Sequence, residues 1–275
     1  MDYDKTIWRL IEHPATNGAW NMAVDEAILE SVYTGESLPT LRLYAWEPAC
    51  LSLGYGQPYA EVNTDTLNAN NWDIVRRPTG GRAILHVDEL TYAVIAPQTD
   101  PRVAGGVLTS YLRLSCALLR SLQILGLDPK AKEKHSNQPA KNKNPVCFEV
   151  PSNYEITVNG KKLIGSAQAR RKEGILQHGA LPLFGDLTRI ITALKFNNHE
   201  ERARAESRLL AHATTVELEL NRVIPWQQAS EAFRQAFQDM LNLQWKPGTL
   251  TEKETHRATI LMQEKYAHSS WTERI

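Results

Sequence analysis

The chain has 275 residues, 42% of them hydrophobic and 23% charged, enough for one large core or two modest ones. Lys plus Arg and Asp plus Glu both come to 31, so the net charge is zero and the basic excess of a bulk nucleic-acid binder is missing. The three cysteines, Cys50, Cys116 and Cys147, show no C-x-x-C spacing. That argues against a structural metal site or a disulfide framework, and for a reducing cytoplasm.

The N-terminus, MDYDKTIWRL, lacks the basic-then-apolar order of a signal peptide. No apolar run approaches the roughly 20 residues of a membrane span. Residues 7–12 read as a first strand. Residues 20–34 read as an amphipathic helix, with Trp20, Ala23, Val24, Ala27, Ile28 and Val32 on one face and Gly35 as its stop. Leu41–Tyr44 and Cys50–Leu53 then read as strands joined by a turn at Glu47-Pro48. Gly54-Tyr55-Gly56-Gln57 is either a strand-exit turn or a place where backbone approaches something closely.

Ile74–Arg77 reads as a strand leading into Pro78-Thr79-Gly80-Gly81-Arg82, followed by His86 and a strand over Leu90–Ala96. Paired arginines before two glycines make a loop suited to a carboxylate, phosphate or thioester carbonyl. The same residues also make a plain hairpin turn. They match neither the Walker A pattern nor G-x-G-x-x-G. His86 is open to two readings, a strand histidine paired with backbone or a site residue.

Residues 104–125 predict a long helix through Val107, Tyr111, Leu114, Leu118, Leu122 and Leu125, closed by Gly126. Residues 128–146 are rich in Lys, Pro and Asn without apolar period, which predicts a mobile loop. It is either a solvated surface or a basic lip for an acidic partner, and it ends at Cys147. Tyr154, Ile156 and Val158 alternate before Asn159-Gly160, the strongest short-range hairpin signal. Lys161 and Lys162 therefore open the return strand and point to opposite faces. A third strand follows Lys172-Glu173-Gly174.

Residues 186–194 and 199–211 read as helical, and 225–241 as a clear amphipathic helix. Lys246-Pro247-Gly248 reads as a break, and 251–267 as a final helix. No repeat or long linker divides the chain. One domain over 1–275 is expected, with a core over 1–248 and a C-terminal helix. Strands and helices do not alternate regularly, so the fold class expected is α+β, a mixed, largely antiparallel sheet flanked by helices. No heptad seam or large apolar patch is visible, so a monomer is expected.

Several motifs now stand in order. Trp20–Ala27, Arg76–Arg82 with His86, Gly160–Gln168, and Gln177-His178-Gly179 with Leu181 and Leu183 together resemble the biotin/lipoate protein ligase superfamily. The resemblance runs nearly the whole chain, to Lys265-Tyr266-Ala267. It implies a fold like those ligases and the class II aminoacyl-tRNA synthetases. Cys147-Phe148-Glu149-Val150-Pro151-Ser152 is similar to the LipM-type octanoyltransferases within it, which place a cysteine nucleophile in this loop. One departure is Val87, which stands where relatives often have Asp.

The resemblance implies transfer of an octanoyl group from octanoyl-acyl carrier protein to a lysine of a lipoyl domain. Such an acceptor is glycine cleavage H protein or a 2-oxoacid dehydrogenase E2. Cys147 would be the nucleophile and Lys162 its cationic partner. Arg77, Thr79, Gly80, Gly81 and His86 would line the thioester end, and the small residues Gly165, Ser166 and Ala167 would admit the C8 chain. No cofactor is expected, because a thioester donor needs no ATP. The competing readings are an ATP-dependent lipoate ligase, an amidotransferase between lipoyl proteins, and a non-catalytic acyl-binding protein.

Overall fold

The computed structural model describes residues 3–133 and 154–275. The first strand, β1 (Thr6–Glu12), is followed by helix α1 (Gly18–Tyr33) and β2 (Thr40–Tyr44). Then come β3 (Cys50–Leu53), the short α2 (Thr64–Ala69), β4 (Asp73–Arg76), β5 (Ile84–His86) and β6 (Glu89–Ala96). Helix α3 (Val107–Ile124) leads to β7 (Pro129–Glu133), and after the undescribed stretch come β8 (Tyr154–Val158), β9 (Lys161–Arg171) and β10 (Gly174–Pro182). The remainder is α4 (Arg189–Thr192), α5 (His199–His212), α6 (Val216–Leu220), α7 (Trp226–Leu241), β11 (Leu243–Pro247), α8 (Glu252–Leu261) and α9 (Ser269–Thr272).

The main sheet has the order β11-β1-β2-β6-β10-β9-β8-β7. Only β11·β1 and β1·β2 pair in parallel, and the other neighbours run antiparallel. The parallel β1–β2 step needs a crossover, which α1 supplies. A second sheet, β4-β3-β5, lies against the first. This is the α+β, largely antiparallel architecture expected.

Both faces of the main sheet are covered, so β6 and β10 are buried along their whole length. Leu90, Tyr92 and Val94 pack with Leu114, Leu118, Phe233 and Phe237 under α3 and α7. Ala93 and Ile95 face the opposite way, into Met22, Val24, Ile28 and Tyr44 under α1. The residues beyond 248 join that second group, through Ala258, Leu261 and Tyr266. Asn159 and Gly160 both have positive φ (48° and 84°), as an Asn-Gly hairpin turn requires.

Four expectations change. The strands β2 and β3 fall in different sheets rather than side by side. Residues 129–133, read as loop, form β7, an edge strand whose Lys130 is the kind of residue that keeps an edge soluble. Residues 243–247, whose last two fall in the expected break at Lys246-Pro247-Gly248, form the other edge, where Pro247 ends the strand without costing a needed hydrogen bond. Val107 is 54% exposed, and Ser110 takes its place on the buried face of α3. Cys147 and the rest of the basic loop from 134 lie outside the described residues. Among the described residues no helix is long and apolar enough to cross a membrane.

Candidate functional site

Where the small sheet meets the main sheet, a cavity of about 410 Å³ opens. Its floor is set by cross-strand register. His178 sits opposite Ala167, and Ala180 opposite Gly165, so these alternate positions share a face. Thr91 of β6 lies opposite Ala180, and Tyr44 of β2 opposite Thr91, which extends that face. Gly165, Ala167 and Ala180 are too small to fill it. Trp46, Ile84 and His86 complete the walls, with Arg77, Gly80 and Gly81 above. Ser166 also borders the space, but its hydroxyl is bonded to Tyr92 Oη (2.7 Å), which takes a further bond from Gln177. Burial pushes the Tyr92 hydroxyl up to about 12. On that far face only glycine fits at 179, since a Cβ there would lie 2.6 Å from Gly165 O and 2.7 Å from the Tyr92 ring.

The roof is built from a loop that braces itself. Arg77 is 3% exposed and donates to Ser52 O and Oγ (both 2.7 Å), to Gly80 O (3.1 Å) and to Arg82 O (3.0 Å). The cation beside the paired glycines thus shapes the loop. Gly54 explains the turn that follows β3: its backbone meets Gly81, and a Cβ would fall 1.9 Å from Gly81 O. The close approach is of one loop to another. His86 stacks on Trp46 at 4.0 Å, with Nε2 2.6 Å from Ser52 Oγ and Nδ1 2.6 Å from Glu89. It is paired with side chains and not with backbone.

Thr79 lies behind the cavity wall, its Oγ1 2.6 Å from His178 Nε2. His178 Nδ1 lies 3.5 Å from Asp25, which Arg42 (2.7 Å) and Tyr44 (3.0 Å) also hold. Burial would raise the Asp25 carboxyl, but Arg42 and the bond to His178 outweigh it and hold it below its ordinary value. Burial also lowers His178, against the opposing pull of Asp25. A neutral His178 with its proton on Nδ1 then accepts the Thr79 hydroxyl at Nε2. Asp25, Arg42, Tyr44, Trp46 and His178 were not named as site residues from sequence, although Asp25 and His178 fall within the motifs that carry the resemblance. The available signal was an acidic pair, Asp25-Glu26, in the middle of a helix whose neighbouring residues are mostly apolar.

Lys162 is 4% exposed and stands three residues before Gly165 on β9, outside the cavity lining. Its Nζ lies 3.4 Å from Glu155 on β8. Lys161, on the other face, donates to Leu210 O. Cys50 is buried where a Cβ on Gly18 would meet its sulfur, and burial drives its pKa well up. Cys116 is half-buried on α3. Neither borders the cavity. A second hollow of about 500 Å³ lies beyond β5, where Asp88 pairs with Arg189 at 2.5 Å and Val87 forms part of the lining.

The match to known proteins is extensive. The model of the lipoyl protein ligase A/B catalytic domain covers residues 17–238. A protein of Brevibacillus brevis named octanoyltransferase LipM is 39% identical, over 97% of this chain and 99% of its own. One of the same name from Lysinibacillus sphaericus is 37% identical, over 97% and 98%. A solved bipartite lipoate protein ligase with its E2 lipoyl domain, from Thermoplasma acidophilum, has a TM-score of 0.78 and 27% identity over 98% of this chain and 97% of that one. A lipoate-protein ligase A bound with ATP has a TM-score of 0.77 at 27% identity, over 97% and 98%. A roofed cavity between two sheets, in a chain matched from end to end by these relatives, leads to one conclusion: the protein belongs to the lipoyl protein ligase A/B catalytic domain family.

Proposed function

We propose that the protein is an acyltransferase that moves an octanoyl group from octanoyl-acyl carrier protein to a lysine of a lipoyl domain, through a thioester on Cys147. The carrying observation is the cavity, a narrow space with small residues on its floor and a braced glycine loop above. It suits a straight acyl chain with its carbonyl toward the loop, where backbone N–H groups can hold the developing oxyanion. Relatives matched over nearly their full length bear the name octanoyltransferase.

In this reading the Cys147 thiolate attacks the donor carbonyl. The carrier thiolate leaves and takes a proton, and the acyl group stays on sulfur. Exchange of one thioester for another is close to thermoneutral. The acceptor amine then attacks, Cys147 leaves as thiolate, the amine proton passes to a base, and the amide formed is the downhill product. Lys162 supplies a cation that favours the thiolate. Glu155 beside it offsets the cost of keeping that ammonium buried. Glycine cleavage H protein and dehydrogenase E2 subunits present the kind of lysine required.

Intact mass after incubation with octanoyl-carrier protein, without ATP, tests this. A thiol-labile adduct is expected on the native protein and absent from Cys147→Ser. The likeness to a ligase bound with ATP favours a second reading, activation of a free acid. No adduct, together with pyrophosphate release on adding ATP and lipoate, would replace transfer by ligation.

A further inference from the structure

The roof of the cavity is held by a part of the chain that does not border it. Arg76, at the end of β4 and next to Arg77, has no exposed surface. A buried guanidinium is costly unless its donors are filled. Those of Arg76 go to backbone carbonyls of two segments: Gly54 (3.0 Å), Tyr55 (3.3 Å) and Gln57 (2.6 Å) on one side, and Thr272 (3.0 and 2.7 Å) on the other. Trp271 Nε1 returns a bond to Arg76 O (2.9 Å). Arg274 lies 3.8 Å over the Tyr55 ring and 4.3 Å over Trp271, and donates to Tyr55 O. Ile275 O accepts from Tyr59 N (2.7 Å).

The 54–57 turn is thus gripped from outside by residues 271–275. From inside it touches the glycine loop. Tyr55 N donates to Thr79 O (2.8 Å), and Gly54 packs on Gly81. The sequence of contacts runs from Trp271 and Arg274 through Arg76 and the turn to Thr79, Gly80 and Gly81. Attachment of the C-terminal region to α1 is made upstream, by Lys265 and Tyr266 on Glu26 and by Ala258 and Leu261 in the core. Trp271 also packs edge-on against Tyr266 at that attachment, so the last residues join it to the 54–57 turn.

We propose that residues 271–275 are a positioning clamp for the glycine loop. They touch no acyl chain. They fix the 54–57 turn, the turn fixes the loop, and the loop sets how tightly the cavity closes on its ligand. The effect on affinity rests on the reading that the cavity takes the acyl chain, whereas the effect on the loop does not.

The test compares the full chain with a form ending at His268 and with Trp271→Phe, which keeps a ring for Arg274 and loses the bond to Arg76 O. In the shortened form, exchange of the Tyr55 and Gln57 amides is expected to speed up by about tenfold or more, with β6 amides unchanged. KM for octanoyl-carrier protein is expected to rise about fivefold while kcat at saturation stays within about twofold. Trp271→Phe is expected to fall between the two. Unchanged exchange at Tyr55 and Gln57 would overturn the clamp. So would loss of protection spread through β6 and α1, which would make the segment a general folding anchor. A full chain that turns over no octanoyl-carrier protein would count against the transferase reading, and the exchange arm would still decide the clamp.

Discussion

One absent methyl group governs how close the two loops of the roof can lie. At Gly54 the obstacle is the carbonyl of Gly81, with its oxygen 1.9 Å and its carbon 2.8 Å from where a Cβ would sit. Both are backbone, so no rotamer relieves the clash. Gly54→Ala is expected to cost about 2–3 kcal/mol in denaturant unfolding and to raise KM for the acyl donor. The glycines around Tyr55 are read in sequence as either a strand-exit turn or a close approach; the close approach is made by Gly54 alone, and its partner, 27 positions on, has no sign in sequence because only the meeting of two loops defines it. Asp25 teaches the same lesson with larger energies. Its carboxylate and the Arg42 guanidinium are both fully buried, 2.7 Å apart. Asp25→Ala would leave Arg42 buried without its anion and is expected to cost about 3–5 kcal/mol, measured by urea unfolding. A helix acid and a strand arginine 17 residues apart carry no sign of pairing until β2 is laid beside α1.

At the scale of elements, β9 and β10 make the cavity by pairing small residues across a sheet. Ala167 and His178 face it from neighbouring strands in register. Ala167→Leu would put branched carbon into the acyl space. Each methylene displaced is worth about 0.8 kcal/mol, so the preference between octanoyl and hexanoyl donors is expected to shift about tenfold toward the shorter one. Competition between the two donors, read by product mass, checks this. An unchanged ratio would mean that the chain lies elsewhere. The small run from Gly165 to Ala167 was legible from sequence. Tyr44, Trp46 and Thr91 were not, because they reach the cavity from β2, the segment just after it and β6, and no local pattern encodes the order of those strands in the sheet. The same limit explains β2 and β3. Both are short and buried throughout, so alternation is lost and nothing marks one for the main sheet and the other for the small sheet. The edge strands failed for the opposite reason: β11 and β7 pair on one side only, and their Lys and Pro content reads as loop.

Across the whole molecule, one polar chain ties β1, α1, β2 and β10 together, and it predicts how the fold responds to acid. His13 accepts from Arg42 Nε (2.9 Å), Arg42 holds Asp25, and Asp25 faces His178. Burial and the Arg42 charge lower His13 from 6.5 to about 4. Burial lowers His178 as well. For both histidines the unfolded chain takes a proton at a pH where the folded protein does not, so stability is complete above the ordinary value of 6.5 and falls as pH drops below it. For His13 that loss runs down to about pH 4. Asp25 acts in a lower window: its contribution is present above its ordinary value of 3.8 and is lost as pH falls through the depressed folded value. The urea midpoint is therefore expected to hold steady from pH 8 to 7 and then decline steadily toward pH 4, with a further fall below that. His13→Gln keeps an acceptor for Arg42 and removes the titrating group. It is expected to leave the midpoint at pH 8 nearly unchanged and to flatten part of the decline between pH 6.5 and 4. A native profile already flat across that interval would mean that these imidazoles take up protons as readily in the folded protein as in the unfolded chain. The Thr79 contact with His178, which ties the glycine loop to β10, would then have to reverse on protonation, with the ring Nε2–H donating to the hydroxyl oxygen.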